Sequence, residues 1–105
     1  VRRITPLELA QLRTNGRSLA LLDVREQWEW NVGHIADATL IPMGQLPAKV
    51  SGLDPAADTV LYCHHGARSQ AAAEWLVSLG FRRVYNLSGG IDAWSTEVDP
   101  SIPRY

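Results

Sequence analysis

Cysteine occurs once in these 105 residues, at position 63. That excludes an intrachain disulfide, and no C-x-x-C pair is present from which to build a cysteine-rich zinc site. No charge of either sign is in excess. Ten Lys and Arg stand against 11 Asp and Glu, for a formal net charge of −1. A broad basic face for a phosphate backbone is therefore missing, which argues against nucleic acid as a partner. No apolar run approaches the ~18 residues of a membrane span. Val1-Arg2-Arg3 is followed by no apolar leader segment, so a cytoplasmic location is the expectation. The sequence opens on Val rather than Met, which leaves open a domain taken from a longer protein. Repeats, linkers and low-complexity stretches are absent, and residues 1–105 read as one domain. What is present is globular usage, with 46% apolar and 20% charged residues.

Short apolar runs alternate with helical patterns. Thr5-Pro6-Leu7-Glu8 is a capping box with proline at the first helical position, opening a helix from Thr5 to Arg13. Leu19 to Val24 and Asp58 to Cys63 are continuous apolar runs of strand length, as expected of strands buried on both faces. Shorter strands are expected over Thr39–Pro42 and Val84–Leu87. Further helices are expected over Glu26–Asn31, Leu46–Leu53, Gln70–Leu79 and Ile91–Val98, with Gly80 as a C-terminal cap. This order predicts an α/β domain with a mainly parallel central sheet and helices on both faces.

Cys63 closes the second buried run, and a strong helix is expected about six residues later. In an open parallel sheet, ligands bind beyond the carboxyl ends of the strands. A tight loop there aims backbone N–H groups at one point, and the helix N-terminus favours an anion. A thiol in that field loses its proton more readily. Gly66 supplies a residue free to take positive φ, and Ser69 is read as the cap of the helix. Arg68 adds a full positive charge, and His64 and His65 add more when protonated. The residues thus predict a thiolate at the floor of a small anion-binding cradle.

Cys63-His64-His65-Gly66-Ala67-Arg68-Ser69 resembles the active-site loop of the rhodanese (thiosulfate sulfurtransferase) family, in its small single-domain form. Three further stretches resemble that family in order. They are Asp23-Val24-Arg25-Glu26, Gly33-His34-Ile35 with Ile41-Pro42, and Asn86-Leu87-Ser88-Gly89-Gly90-Ile91-Asp92-Ala93-Trp94. The resemblance implies a rhodanese-like fold and a two-step sulfur transfer. Cys63 takes the sulfane sulfur of thiosulfate or a persulfide donor, and passes it to cyanide, a thiol or a protein acceptor. No cofactor, metal, nucleic acid or membrane enters that chemistry. The alternative is a sulfur-relay or adaptor module whose donor and acceptor are partner proteins. A silent binding domain of this type is disfavoured by the intact cysteine. A Cys-based phosphatase needs C-x5-R, whereas Cys63 to Arg68 is C-x4-R, one residue short for a phosphate ester.

Other polar residues carry blander expectations. Arg68 is expected to bind the donor anion, with His64, His65, Gly66, Ala67 and Ser69 lining the substrate site. Asp23 and Arg25 are expected to support the site, Asp23 by accepting from backbone amides and Arg25 by pairing with Glu26 or Glu29. His34 is expected to bond backbone. Trp28 and Trp30 are expected near the pocket, and Trp75 and Trp94 in the core. A metal held by Cys63, His64 and His65 is disfavoured because neighbouring side chains diverge. Ser88-Gly89-Gly90 lacks the Lys-Ser/Thr of a phosphate loop and reads as a turn. Because the loop's cations are histidines, kcat/KM for thiosulfate is expected to fall between about pH 6 and 8.

Overall fold

A computed structural model describes residues 1–105. Five strands form one sheet: β1 (Arg2–Ile4), β2 (Ala20–Asp23), β3 (Thr39–Leu40), β4 (Thr59–Tyr62) and β5 (Val84–Leu87). Their order is β1-β5-β4-β2-β3, and every neighbouring pair is parallel. Parallel neighbours require crossover connections. These carry α1 (Pro6–Thr14), α2 (Gln27–Val32), α3 (Leu46–Lys49) and α4 (Ala67–Ser78), and α5 (Gly90–Glu97) follows the last strand. The α/β architecture expected from the alternating pattern is the one observed.

Two apolar clusters sandwich the sheet. Leu22, Val24, Leu61 and Cys63 join Ala72, Ala73 and Leu76 of α4 on one face. Leu21, Val60 and Tyr62 join Leu9, Ile91 and Trp94 on the other. Adjacent residues of β2 and β4 thus point to opposite faces with the strand period of two. Because both faces are covered, the runs read as continuous rather than alternating. The same period carries Cys63 past the end of β4 on the α4 side.

The Thr5 capping box forms as expected. The Glu8 N–H donates to Thr5 Oγ1 at 3.1 Å, and the Thr5 N–H to Glu8 Oε1 at 2.9 Å. Four expectations change. The pairing of Arg2–Ile4 with β5 as an edge strand was not anticipated, since only Ile4 of its three residues is buried. The stretch expected as one helix over Leu46–Leu53 is a four-residue α3 flanked by 3₁₀ turns at Met43–Gln45 and Val50–Gly52. Pro42 confines β3 to two residues. Finally, α4 begins at Ala67, three residues earlier than expected. Trp94 lies in the core, and Trp75 packs partly buried against the opposite cluster. No helix is long and apolar enough to cross a membrane.

Candidate active site

Cys63 sits at the carboxyl end of β4 and is 1% exposed. The chain then turns within three residues and enters α4, with Gly66 at φ +120° as the residue before the first helical turn. An L side chain rarely adopts that conformation, so glycine permits the tight entry. Its result is convergence on sulfur. The Gly66 N–H donates to Cys63 Sγ at 3.1 Å and the Ser69 N–H at 3.5 Å, with Ser69 Oγ at 3.4 Å. Burial alone would push the thiol up. The Ser69 hydroxyl and N–H, with the N–H groups of Gly66 and His65, outweigh burial and bring it below its ordinary value.

The loop can aim its N–H groups inward because its carbonyls are held elsewhere. Cys63 O accepts from the Ile91 N–H at 2.9 Å, and His64 O from the Asp92 N–H at 3.2 Å. Both donors lie in the first turn of α5, where helix N–H groups lack helical partners. Gly90 makes this docking possible. Its φ is +62°, and a Cβ there would collide with the carbonyl oxygens of Cys63 and His64. We expect Gly90→Ala to lower stability by about 2–3 kcal/mol. Urea unfolding followed by tryptophan fluorescence measures it; a change under ~0.5 kcal/mol would show that the approach is not tight.

Ser69 does not cap α4, contrary to expectation. Gly66 occupies the cap position, and Ser69 falls in the first turn with its hydroxyl turned inward. Its Oγ lies 2.6 Å from Asn86 Oδ1 and 3.2 Å from Gly66 O. Asn86 Nδ2 in turn donates to Gly66 O at 3.0 Å and Gln70 Oε1 at 3.1 Å. Asn86 was not foreseen as a site residue. The available signal was a polar side chain inside a short buried strand. A polar cleft of about 390 Å³ opens beside the loop, with Arg3, His65, Gly66, Gln70 and Asn86 among its walls.

Arg68, expected to face a donor anion, has a carboxylate partner within the protein. Its Nη1 and Nη2 donate to Glu29 Oε1 and Oε2 at 2.6 and 2.8 Å. Glu29 is 3% exposed and also accepts from the Tyr105 hydroxyl at 2.6 Å and the Glu26 N–H at 3.1 Å. The Arg68 guanidinium, aided by Tyr105 and the Glu26 N–H and opposed by burial, holds the Glu29 carboxyl down at about 2. A lowered folded-state pKa stabilises above the unfolded value and is lost as protonation of the folded state sets in. Glu29 therefore contributes stability on the order of 2 kcal/mol at neutral pH, lost from about pH 4.5 down to about pH 2. In Glu29→Gln, the acid limb of a stability-against-pH curve should flatten across that window; an unchanged limb would contradict this.

Asp23 and Arg25 form the most buried polar pair, with both side chains fully enclosed. Arg25 Nε lies 2.9 and 3.1 Å from Asp23 Oδ1 and Oδ2, and Nη2 lies 2.7 Å from Oδ2. The Arg25 backbone N–H also donates to Asp23 Oδ1, at 3.0 Å. The expected partners of Arg25 were the Glu26 or Glu29 carboxylates. Glu29 instead receives Arg25 only at its backbone carbonyl, at 3.3 Å. Remaining donors reach Gly33 O at 2.8 Å and the Tyr105 oxygen at 3.0 Å. The guanidinium thus fastens the end of β2, α2 and the last residue together.

The two loop histidines behave differently from each other. His64 is sandwiched, its ring 3.8 Å from that of Tyr105 and 3.9 Å from that of His65. Burial, and then repulsion from a charged His65, lowers the His64 pKa below the ordinary imidazole value. Its ring therefore holds a proton less readily than an ordinary imidazole, which weakens its share of the positive charge expected to attract thiosulfate. His65 is exposed, with Nε2 3.9 Å from Asp92 Oδ2. The side chains of these neighbours do not diverge as expected, because Tyr105 stacks them. Donor atoms of His64, His65 and Asp92 all lie within 4.8 Å of one another. Cys63 is outside that group, and the Asp92 carboxylate is already bonded by Arg104 at 2.9 and 3.3 Å. His34 bonds backbone as expected, Nδ1 lying 3.2 Å from Trp30 O with the ring stacked on Trp30. Trp28 is 60% exposed and meets the Tyr105 ring edge-on.

Comparison with known proteins gives concordant findings. A family model described as Rhodanese-like domain matches residues 5–97. The chain is 44% identical over 89 residues to Rhodanese-like/PpiC domain-containing protein 12, chloroplastic, of Arabidopsis thaliana, with 81% of the chain covered. It spans only 30% of that relative's length. It is 38% identical to a sulfurtransferase of Allochromatium vinosum, covering 97% of this chain and 95% of that protein. Thiosulfate sulfurtransferase GlpE of Pseudomonas aeruginosa is 36% identical, with 88% and 82% covered. Among solved structures, a rhodanese-related protein from Thermoplasma volcanium superposes with a TM-score of 0.82 at 35% identity, covering 93% and 94% of the two chains.

Proposed function

Since the chain belongs to the rhodanese-like domain family, we propose that it is a sulfurtransferase that carries sulfane sulfur as a Cys63 persulfide. The observation that supports this most is the convergence of the Gly66 and Ser69 N–H groups on the one cysteine sulfur. Such donors stabilise an anion without offering a competing nucleophile.

The Cys63 thiolate attacks the outer sulfur of thiosulfate. A new S–S bond forms, the donor's S–S bond breaks, and sulfite leaves with the bonding pair. A persulfide anion remains, terminated by the transferred sulfur. The cyanide carbon, or an acceptor thiolate, then attacks that sulfur. The Cys63 S–S bond breaks and the thiolate returns. No proton transfer is required at either step once the cysteine is ionised, so neither histidine is given that role. Arg68 contributes positive potential toward Cys63 from within its pair with Glu29, while Asp23 and Arg25 support the frame.

The test is steady-state production of thiocyanate from thiosulfate and cyanide. A covalent intermediate predicts parallel double-reciprocal plots as the second substrate is varied. Intersecting lines would mean that both substrates bind before sulfur moves. A relay module exchanging sulfur with partner proteins is the second reading. It is favoured by the Arabidopsis relative, of whose length this chain spans 30%. Slow thiosulfate turnover together with rapid uptake from a protein persulfide would select it.

A further inference from the structure

The Ser69 hydroxyl has one proton and three acceptors within reach. Asn86 Oδ1 is nearest at 2.6 Å, Gly66 O lies at 3.2 Å and Cys63 Sγ at 3.4 Å. The orientation of Asn86 is fixed by its amide nitrogen, which donates to both Gly66 O and Gln70 Oε1. Rotating the amide would sacrifice both bonds and set its nitrogen against the hydroxyl. Oδ1 is therefore the atom that faces Ser69. Gly66 O already receives the Asn86 amide at 3.0 Å and the Gln70 N–H at 3.0 Å, and competes weakly for a third donor.

We propose that Asn86 is a positioning residue that holds the Ser69 proton away from Cys63 while the cysteine is a thiol, and yields it when the sulfur becomes an anion. The proposal rests on Cys63 being the reacting thiol. In the resting state Ser69 donates to Asn86 Oδ1 and presents a lone pair to the cysteine S–H. On ionisation the thiol proton passes to solvent water. The Ser69 hydroxyl then turns about its C–O bond, exchanging its bond to Oδ1 for one to the negative sulfur. No covalent bond of Ser69 breaks. Hydrogen bonds to an ionised acceptor are roughly twice as strong as neutral ones, so the exchange is favourable once charge is present. The site gains the hydroxyl as a further donor only when an anion needs it, while Asn86 weakens the pull of Ser69 on the thiolate. The charged or titratable groups around this sulfur are Arg68 with its partner Glu29, His64 and His65, Asp92 beyond His65, and Tyr105 over His64.

The test is the pH dependence of Cys63 alkylation by iodoacetamide. This reads the thiol whether or not sulfur transfer occurs, so loss of turnover with an unaltered profile would bear on the proposed activity and not on Asn86. Asn86→Leu should move the profile's midpoint down by about one pH unit, because Ser69 then serves sulfur alone. Adding Ser69→Ala to that variant should return it toward the starting value. Ser69→Ala by itself should raise the midpoint, because the hydroxyl helps hold the thiolate, but by less than about half a unit, because the bond to sulfur is offset by the bond to Asn86 that is given up to make it. An unchanged or raised midpoint in folded Asn86→Leu would overturn the proposal. So would a rise of a full unit in Ser69→Ala alone, which would mean that the hydroxyl already serves sulfur at rest.

Discussion

Cys63→Ser is expected to lower thiocyanate formation from thiosulfate and cyanide by at least about 10³-fold. Serine differs from cysteine by one atom, so the cradle survives. The N–H groups of Gly66 and Ser69 still point at the substituted atom, and the carbonyls of Cys63 and His64 remain fastened to α5. What changes is the nucleophile. A hydroxyl is far less acidic than a thiol and is not ionised near neutral pH by this set of donors. Folding should be little disturbed, since the side chain is small and its neighbours supply hydrogen-bond donors; a change below ~1 kcal/mol in urea unfolding is expected. Activity within tenfold of the unsubstituted protein would place the transferred sulfur on another atom.

Arg25→Met is expected to cost about 3–5 kcal/mol of stability. Removing the guanidinium leaves the Asp23 carboxylate fully buried with no counter-charge. The Arg25 backbone N–H still donates to it but carries no full charge. The Gly33 and Glu29 carbonyls and the Tyr105 oxygen lose a donor as well. Against a total of roughly 5–15 kcal/mol for a domain of this size, the loss is large. Much of it reflects a stranded charge rather than the strength of the pair, so Asp23→Leu/Arg25→Met should recover part of the deficit. Urea unfolding followed by tryptophan fluorescence reports both. A loss under ~1 kcal/mol in the single variant would mean that water reaches the carboxylate, contrary to its enclosure.

The parts of this molecule legible in sequence are those governed by local pattern. Leu19 to Val24 and Asp58 to Cys63 announce buried strands because both faces of each are covered. Gly66 announces the loop because a positive φ is needed at that point. The start of α4 is hidden for an equally local reason. Ser69 carries a side chain suited to capping, but Gly66 makes the turn through backbone conformation and frees Ser69 for the interior. What spacing could not reveal is pairing over distance. Arg68 finds Glu29 on α2, 39 residues away, and Tyr105 reaches the same carboxylate across 76. Neither meeting leaves a periodic trace. Tyr105 has the same effect on the histidines. Side chains adjacent in sequence ordinarily splay, but an aromatic ring lying on His64 stacks with it, and His64 stacks with His65. The edge strand β1 was obscured by its two exposed arginines, which suit an unpaired sheet margin.

The most direct measurement is peptide mapping by mass spectrometry after the reduced protein has been incubated with thiosulfate and separated from it without reductant. The peptide holding Cys63 should gain the mass of one sulfur atom, and cyanide should remove it with release of thiocyanate. A protein that turns over thiosulfate while this peptide stays at its original mass would contradict the account.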